Sequence, residues 1–342
     1  MQKLLTIVVP TYNMQDYLNR CLDSLVVSPE LMGQLEVLVV NDGSKDNSSA
    51  IAHEYEAKYP ATFRVIDKEN GNYGSCVNRG LEEAQGKYIK ILDADDWFDT
   101  VEFQFYLQKL MPLEVDMVLT DYQKVSIDGS VLENCCFGLD YGKPFVFRRL
   151  ESMEYFAHHS VAYRTRFLRD IGYHQTEGVS YTDNEWIYYP QLYVNQAFYI
   201  DNNVYRYFIG REGQTMDPNV KLRSGKHVID LLMSMIQYES RLEDCDKMGF
   251  SFKRMDGFIV HSTKGVYKDF LVNMDSECFD AEALMKFDGF LFKERKDIYD
   301  LVGRVLVLKG IPVHYVIYWR KHGKRFPVDG FRSVYRLFRY GK

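Results

Sequence analysis

The chain has 342 residues, 46% of them hydrophobic, and a net charge of −6. That is enough apolar material for one large or two moderate globular domains. No apolar stretch reaches the roughly 18 residues of a membrane-crossing helix, and the acidic balance with no recognition motif argues against a nucleic-acid partner.

The 15% aromatic content, with 26 Tyr and 22 Phe, is high. It is read mainly as core, although Tyr also suits saccharides and interfaces. The six cysteines have no CxxC spacing, and Cys135 and Cys136 are adjacent. Reduced thiols are expected, and no signal peptide is read at the N-terminus, so a cytoplasmic setting is expected.

Taken in chain order, Leu4 to Val9 is an apolar strand closed by Pro10-Thr11-Tyr12-Asn13. Tyr17, Leu18, Cys21, Leu22 and Leu25 follow at helical spacing. Leu35 to Val40 is a second strand, ending at Asn41-Asp42-Gly43-Ser44, and Ser48 to Lys58 reads as a helix. Phe63 to Ile66 is a third strand. The Gly-rich segment Asn70-Gly71-Asn72-Tyr73-Gly74 reads as a loop, and Cys76 to Gln85 as a helix. Tyr88 to Leu92 and Val115 to Thr120 are further strands. Strands alternating with helices predict an α/β fold with a mostly parallel sheet flanked by helices.

The fourth strand runs into Asp93-Ala94-Asp95-Asp96, three carboxylates in four positions. Open α/β sheets bind ligands at the carboxyl ends of their strands, and hard divalent cations take oxygen ligands. A metal site is one reading, and an acidic turn capping the next helix is the other. The strand ends after Val9, Val40 and Leu92 should meet at one edge, which would gather Tyr12, Asp42 and the acid cluster into one cleft.

Four segments in order resemble the successive motifs of family 2 glycosyltransferases. They are Val8-Val9-Pro10-Thr11-Tyr12-Asn13, Val39-Val40-Asn41-Asp42-Gly43-Ser44, Asn70-Gly71-Asn72-Tyr73-Gly74 with Asn78-Arg79-Gly80, and Leu92-Asp93-Ala94-Asp95-Asp96. The resemblance implies a GT-A fold, a nucleotide-sugar donor (usually a UDP-sugar) and transfer with inversion. It implies that Pro10, Thr11, Tyr12 and Asn13 line the nucleobase pocket and that Asp42 accepts from the base. Gly71, Gly74 and Asn78 would border the donor. Asp93 would sit near ribose and metal, and Asp95 would be the main ligand of Mn²⁺ or Mg²⁺. Asn41 departs from the Asp often found there. Asp96 is read as a helix cap in preference to a group supporting the metal ligands, and Arg79 as either a donor contact or a structural ion pair.

Thr182-Asp183-Asn184-Glu185-Trp186 resembles the segment that carries the family's acid pair, with Thr182 in place of the first acid. Asp183 is then the catalytic base, with Glu185 as its competitor and an N-cap as the structural alternative. Arg211, in the loop after the last strand, would neutralise the diphosphate or else stand as a solvated arginine. The adjacent His158 and His159 should point apart, and they are read as core or acceptor-site residues rather than metal ligands. The absence of a Gln-x-x-Arg-Trp signature points to adding one sugar or a short run.

Beyond Asn219 the pattern turns helical, so a catalytic domain over 1–218 and a helical region over 219–342 are expected. From Arg304 to Lys342 ten Lys/Arg face a single acid, Asp329: this segment carries +9 and the rest of the chain −15. Phe331, Val334, Tyr335 and Phe338 form a helical stripe beside Arg332, Arg336 and Arg339, which suits an anionic membrane surface. The alternative is a helix packed on the protein itself.

The expected protein is an inverting, metal-dependent glycosyltransferase, peripheral at the inner face of the cell membrane. Its acceptor would be a saccharide or lipid-linked saccharide in bacterial surface polysaccharide synthesis, and the aromatic C-terminal region could bury a homodimer interface. The rivals are a nucleotidyltransferase, for which Pro10-Thr11-Tyr12-Asn13 is the wrong phosphate loop, and a non-catalytic sugar-nucleotide-binding scaffold.

Overall fold

The computed structural model describes residues 3–140, 142–151, 155–211, 214, 224–243, 249–273, 280–303, 306–308 and 311–322. The predicted aromatic and basic stripe over 331–339 lies outside these residues. The chain divides into two compact units, Met1–Arg211 and Glu212–Lys342.

The first unit opens with β1 (Lys3–Thr11), α1 (Leu18–Asp23), α2 (Pro29–Met32), β2 (Leu35–Asn41), α3 (Ser48–Lys58) and β3 (Phe63–Asp67). It continues with α4 (Asn72–Glu83), β4 (Gly86–Ile91), β5 (Trp97–Phe98), α5 (Thr100–Leu110), β6 (Met117–Val125), β7 (Val131–Cys135) and β8 (Pro144–Val146). It closes with β9 (Val161–Arg164), α6 (Thr165–Asp170), α7 (Asp183–Tyr193) and β10 (Gln196–Phe208).

The strands form one sheet in the order β3-β2-β1-β4-β9-β6-β10-β5, with β7 on β6 and β8 on β10. β1 to β4 run parallel, as do β6 and β10, while β9 is inserted antiparallel between β4 and β6. Every residue of β2 is buried, and β1 is buried along nearly its whole length. That is why these strands read as unbroken apolar runs: both faces are covered. Pro10 is tolerated because the β1–β4 ladder ends at Val8 and Ile91, so its missing N–H faces no partner strand.

Two local differences from the sequence reading matter for the site. Helix α4 begins at Asn72, so Tyr73 and Gly74 lie in its first turn rather than in a loop. Asn72 supplies the left-handed turn into it, at φ 64°, a conformation Asn tolerates better than most residues. Helix α5 is capped by Asp99, which accepts from the N–H groups of Val101 and Glu102. The cap expected of Asp96 is therefore made three residues later.

In the second unit the described helices are α8 (Gly225–Arg241), α9 (Phe250–Lys268), α10 (Ala281–Glu294), α11 (Lys296–Val302) and α12 (Tyr315–Lys321). A short hairpin, β11 (Leu306–Leu308) and β12 (Ile311–Val313), was not legible in the sequence. Arg295 joins α8, α9 and α11 through Glu239 at 2.8 Å, Asp256 at 2.6 Å and Asp297 at 2.8 Å. No described helix is long and apolar enough to cross a membrane.

Candidate functional site

The carboxyl ends of β1, β2 and β4 meet as the strand pattern requires. Asp42 donates its N–H to the Thr11 carbonyl at 2.8 Å, and Leu92 donates to Val8 at 2.9 Å. Asn13, in the left-handed region at φ 53°, ties two of these loops together. Its N–H donates to Ser44 Oγ at 3.0 Å and its side-chain oxygen accepts from Lys45 N–H at 2.8 Å. Thr11 is buried, and Tyr12 beside it stays exposed, its ring available to a flat partner.

Asp42 is buried and strongly held. Its Oδ1 accepts from Lys68 Nζ at 2.7 Å and from Gly71 N–H at 2.9 Å. Lys68 was not singled out in the sequence, because a lone lysine after a strand carries no pattern. Asn41, where an acid was expected, donates to Asp67 Oδ1 at 2.6 Å. An aspartate there would face Asp67 as a like charge.

The acid cluster divides into three roles. Asp93 Oδ1 accepts from the Tyr73 hydroxyl at 2.9 Å, and its Oδ2 lies 3.1 Å from His158 Nε2. Asp95 pairs with Arg211, Nε to Oδ2 at 2.8 Å. Asp96 points inward, accepting from Tyr205 Oη at 2.7 Å and Phe208 N–H at 2.8 Å. Burial, and then the charges of Asp95 and Asp93, push the Asp96 carboxyl well above the usual carboxylate range. Asp93 and Asp95 thus both present carboxylate oxygens just beyond β4, the donor type that a hard divalent cation takes.

His158 is the site residue whose position the sequence left open. The 3₁₀ turn His158–Ser160 brings the two imidazoles to 3.8 Å between centroids, so the expectation that they point apart is wrong. Lys90 anchors this turn: its buried ammonium donates to the His159 carbonyl at 2.6 Å and to Val161 at 3.3 Å. Burial pulls Lys90 down to about 7. His158 Nδ1 faces Asp183 Oδ2 at 3.8 Å, so one imidazole spans the two carboxylates. Burial alone would raise Asp93, but His158 and Tyr73 hold it below the usual range. Burial would lower His158, yet Asp93 carries it above an ordinary histidine.

Asp183 is the first residue of α7, and the cap position is Thr182, which makes no side-chain cap bond. The capping alternative for Asp183 therefore falls away. Its side chain is 37% exposed, so the carboxylate reaches solvent as a base must. Burial of the remainder raises the carboxyl, Asp93 adds to the rise and His158 opposes it. Thr182 is fully buried, a position where an unpaired acid would be costly.

Glu185, the competing base, is buried and occupied. Its oxygens accept from Thr176 N–H at 2.7 Å and Thr176 Oγ1 at 2.9 Å. The segment it grips is held from below by α4. Asn78 accepts from Gln175 N–H at 2.8 Å and donates to the Gln175 carbonyl at 2.9 Å. A Cβ on Gly74 would sit 2.1 Å from the Thr176 carbonyl oxygen. Gly74 and Asn78 therefore act as packing groups under the 174–178 segment, whereas Gly71 contacts Asp42 directly. Arg79 makes surface ion pairs with Glu83 at 2.6 Å and Glu82 at 3.5 Å.

Comparison with known proteins fits this geometry. The profile described as Glycosyl transferase family 2 matches residues 6–172. EpsJ of Bacillus subtilis, an uncharacterized glycosyltransferase, is 36% identical over 125 residues, which are 36% of this chain and 36% of EpsJ. The match thus spans about a third of that relative's length. Among solved structures, residues 1–349 of TarS from S. aureus superpose with a TM-score of 0.65 at 18% identity, covering 99% of this chain and 92% of that one. TarS 1–349 is also solved in complex with UDP-GlcNAc. A mannosyltransferase from Pyrobaculum calidifontis, PcManGT, solved with GDP-Man and Mn²⁺, superposes at 0.54 and 13% identity, covering 99% of this chain and 85% of that one. The fold is GT-A.

Proposed function

On the premise that residues 6–172 form a family 2 glycosyltransferase domain, we propose that the protein transfers a sugar from a UDP-sugar to a saccharide hydroxyl with inversion. The observation that carries this reading is the cluster at the strand ends. A held carboxylate, Asp42, lies on one side, the Asp93–Asp95 acids lie in the middle, and the half-exposed Asp183 stands across His158.

In this reading Asp42 accepts from a base N–H, with Pro10, Thr11, Tyr12 and Asn13 around the ring. A divalent cation, Mn²⁺ or Mg²⁺, would be held by Asp95 and Asp93 and would offset the charge of the diphosphate. The fit rests on the carboxylate oxygens that Asp93 and Asp95 bring to the end of β4. Arg211 turns from Asp95 toward the phosphates. Asp183 takes the proton of the acceptor hydroxyl as its oxygen bonds to the anomeric carbon from the face opposite the departing UDP. His158 holds Asp93 and Asp183 in register.

The test is calorimetric titration of UDP and GDP with and without Mn²⁺. UDP should bind only with the cation, and Asp42→Asn should weaken it roughly tenfold or more, the worth of a hydrogen bond to a charged group. Equal binding of GDP, or no effect of Asp42→Asn, would remove the uracil assignment.

The setting proposed is bacterial surface polysaccharide synthesis on a lipid-linked acceptor, supported by the excess of Lys and Arg in the C-terminal sequence, Arg332, Arg336 and Arg339 among them. Binding to anionic vesicles should fall when residues 331–342 are removed, and fall with salt in the full chain. Equal binding of both forms would discard the membrane role.

A further inference from the structure

We infer that Asp93, His158 and His159 form a binding site for a divalent transition-metal ion, Zn²⁺ or Co²⁺ in class. It shares Asp93 with the carboxylate site centred on Asp95 but does not use Asp95. One ligand atom from each of the three residues lies within 4.8 Å of the others. A tetrahedral ion with bonds of about 2.0–2.1 Å holds its ligands roughly 3.4 Å apart, so the ligand atoms must draw together and the two imidazoles, 3.8 Å between centroids, must splay to aim at one ion. His158 Nε2 and Asp93 Oδ2 are already at 3.1 Å.

The second observation is His159 itself. It is 7% exposed, and neither ring nitrogen has a hydrogen-bond partner among the described residues. A buried imidazole without partners is costly. Three aromatic neighbours fix the ring: Tyr207 stacks at 4.2 Å, Tyr205 meets it edge-on at 4.8 Å, and Tyr122 lies at 5.1 Å. The Lys90 ammonium holds its carbonyl from behind. Its nitrogens are thus presented by a rigid frame.

Two imidazoles and one carboxylate suit Zn²⁺, Co²⁺ or Ni²⁺ far better than Mg²⁺, which prefers all-oxygen shells. Asp95 contributes nothing here, being paired with Arg211. An ion in this site would draw His158 away from Asp183, so it would act on the base as well as on Asp93.

The inference is tested on the full chain with CoCl₂ alone, no nucleotide present, by d–d absorption and calorimetry. One Co²⁺ should bind with an imidazole-type band. His159→Phe, which keeps the aromatic packing, should weaken binding at least about tenfold, as should Asp93→Asn, while Asp95→Asn should leave it unchanged. Should His159→Phe fail to fold by circular dichroism, His159→Leu takes its place. No band in the unaltered protein would overturn the site. So would equal affinity in the His159 variant, or a band lost only with Asp95→Asn. None of these readouts depends on sugar transfer.

Discussion

Asp183→Asn is expected to lower sugar transfer by about 10²–10⁴, the usual worth of a positioned general base. Cation-dependent UDP binding should survive, because Asp183 lies beyond His158 from the acid cluster. Unchanged transfer would remove Asp183 from the role, and parallel loss of UDP binding would mean that the start of α7 had collapsed. Glu185→Gln separates the competitor: Thr176 already occupies both its oxygens, so its effect should fall on stability.

The pH profile carries the sign of the same assignment. A base works deprotonated, so the rate must fall as pH drops through the Asp183 pKa. Burial and Asp93 raise that pKa, so the acidic limb should lie above the ordinary carboxylate value of 3.8. In Asp183→Asn the residual rate should lose this limb. Persistence of the limb in the variant would assign it to another group.

Gly74→Ala should destabilise the protein by about 1–3 kcal/mol, at the upper end of overpacking costs, because the added carbon meets backbone rather than a flexible side chain. The contact is 2.1 Å from the Thr176 carbonyl oxygen. Its relief must lift the 174–178 segment from α4, pull on Glu185 and tilt the first turn of α7, where Asp183 sits. The denaturation midpoint should drop and transfer should fall, while UDP affinity changes little. A variant with normal stability but weakened UDP binding would return Gly74 to the donor pocket.

The sequence reached much of this architecture because its strongest signals are local. The apolar runs at Leu4–Val9 and Leu35–Val40 are strands buried on both faces, and their polar ends are the only places where acids can stand at a sheet edge. Asp93 and Asp95 follow from that edge, and the order of the motifs led to the family. The Ser48–Lys58 helix was legible in the same way. Asp96 was misread because a cap and a buried acceptor look alike in sequence. Only Tyr205 and Phe208, more than a hundred residues away, distinguish them.

By itself, then, the sequence determined which segments of the N-terminal half are strands and helices, the acids at the strand ends and the family, all set by spacing along a few neighbouring elements. Tertiary structure alone decided how those acids are used. The antiparallel insertion of β9 delivers the His158–Ser160 turn, which sets an imidazole between Asp93 and Asp183. The grip of Glu185 on Thr176 leaves Asp183 as the more exposed and less occupied carboxylate of the two. The contact of His158 with Asp93 joins residues 65 positions apart, and the others cross a loop between elements. No periodicity encodes them, because they depend on which strand ends meet in space.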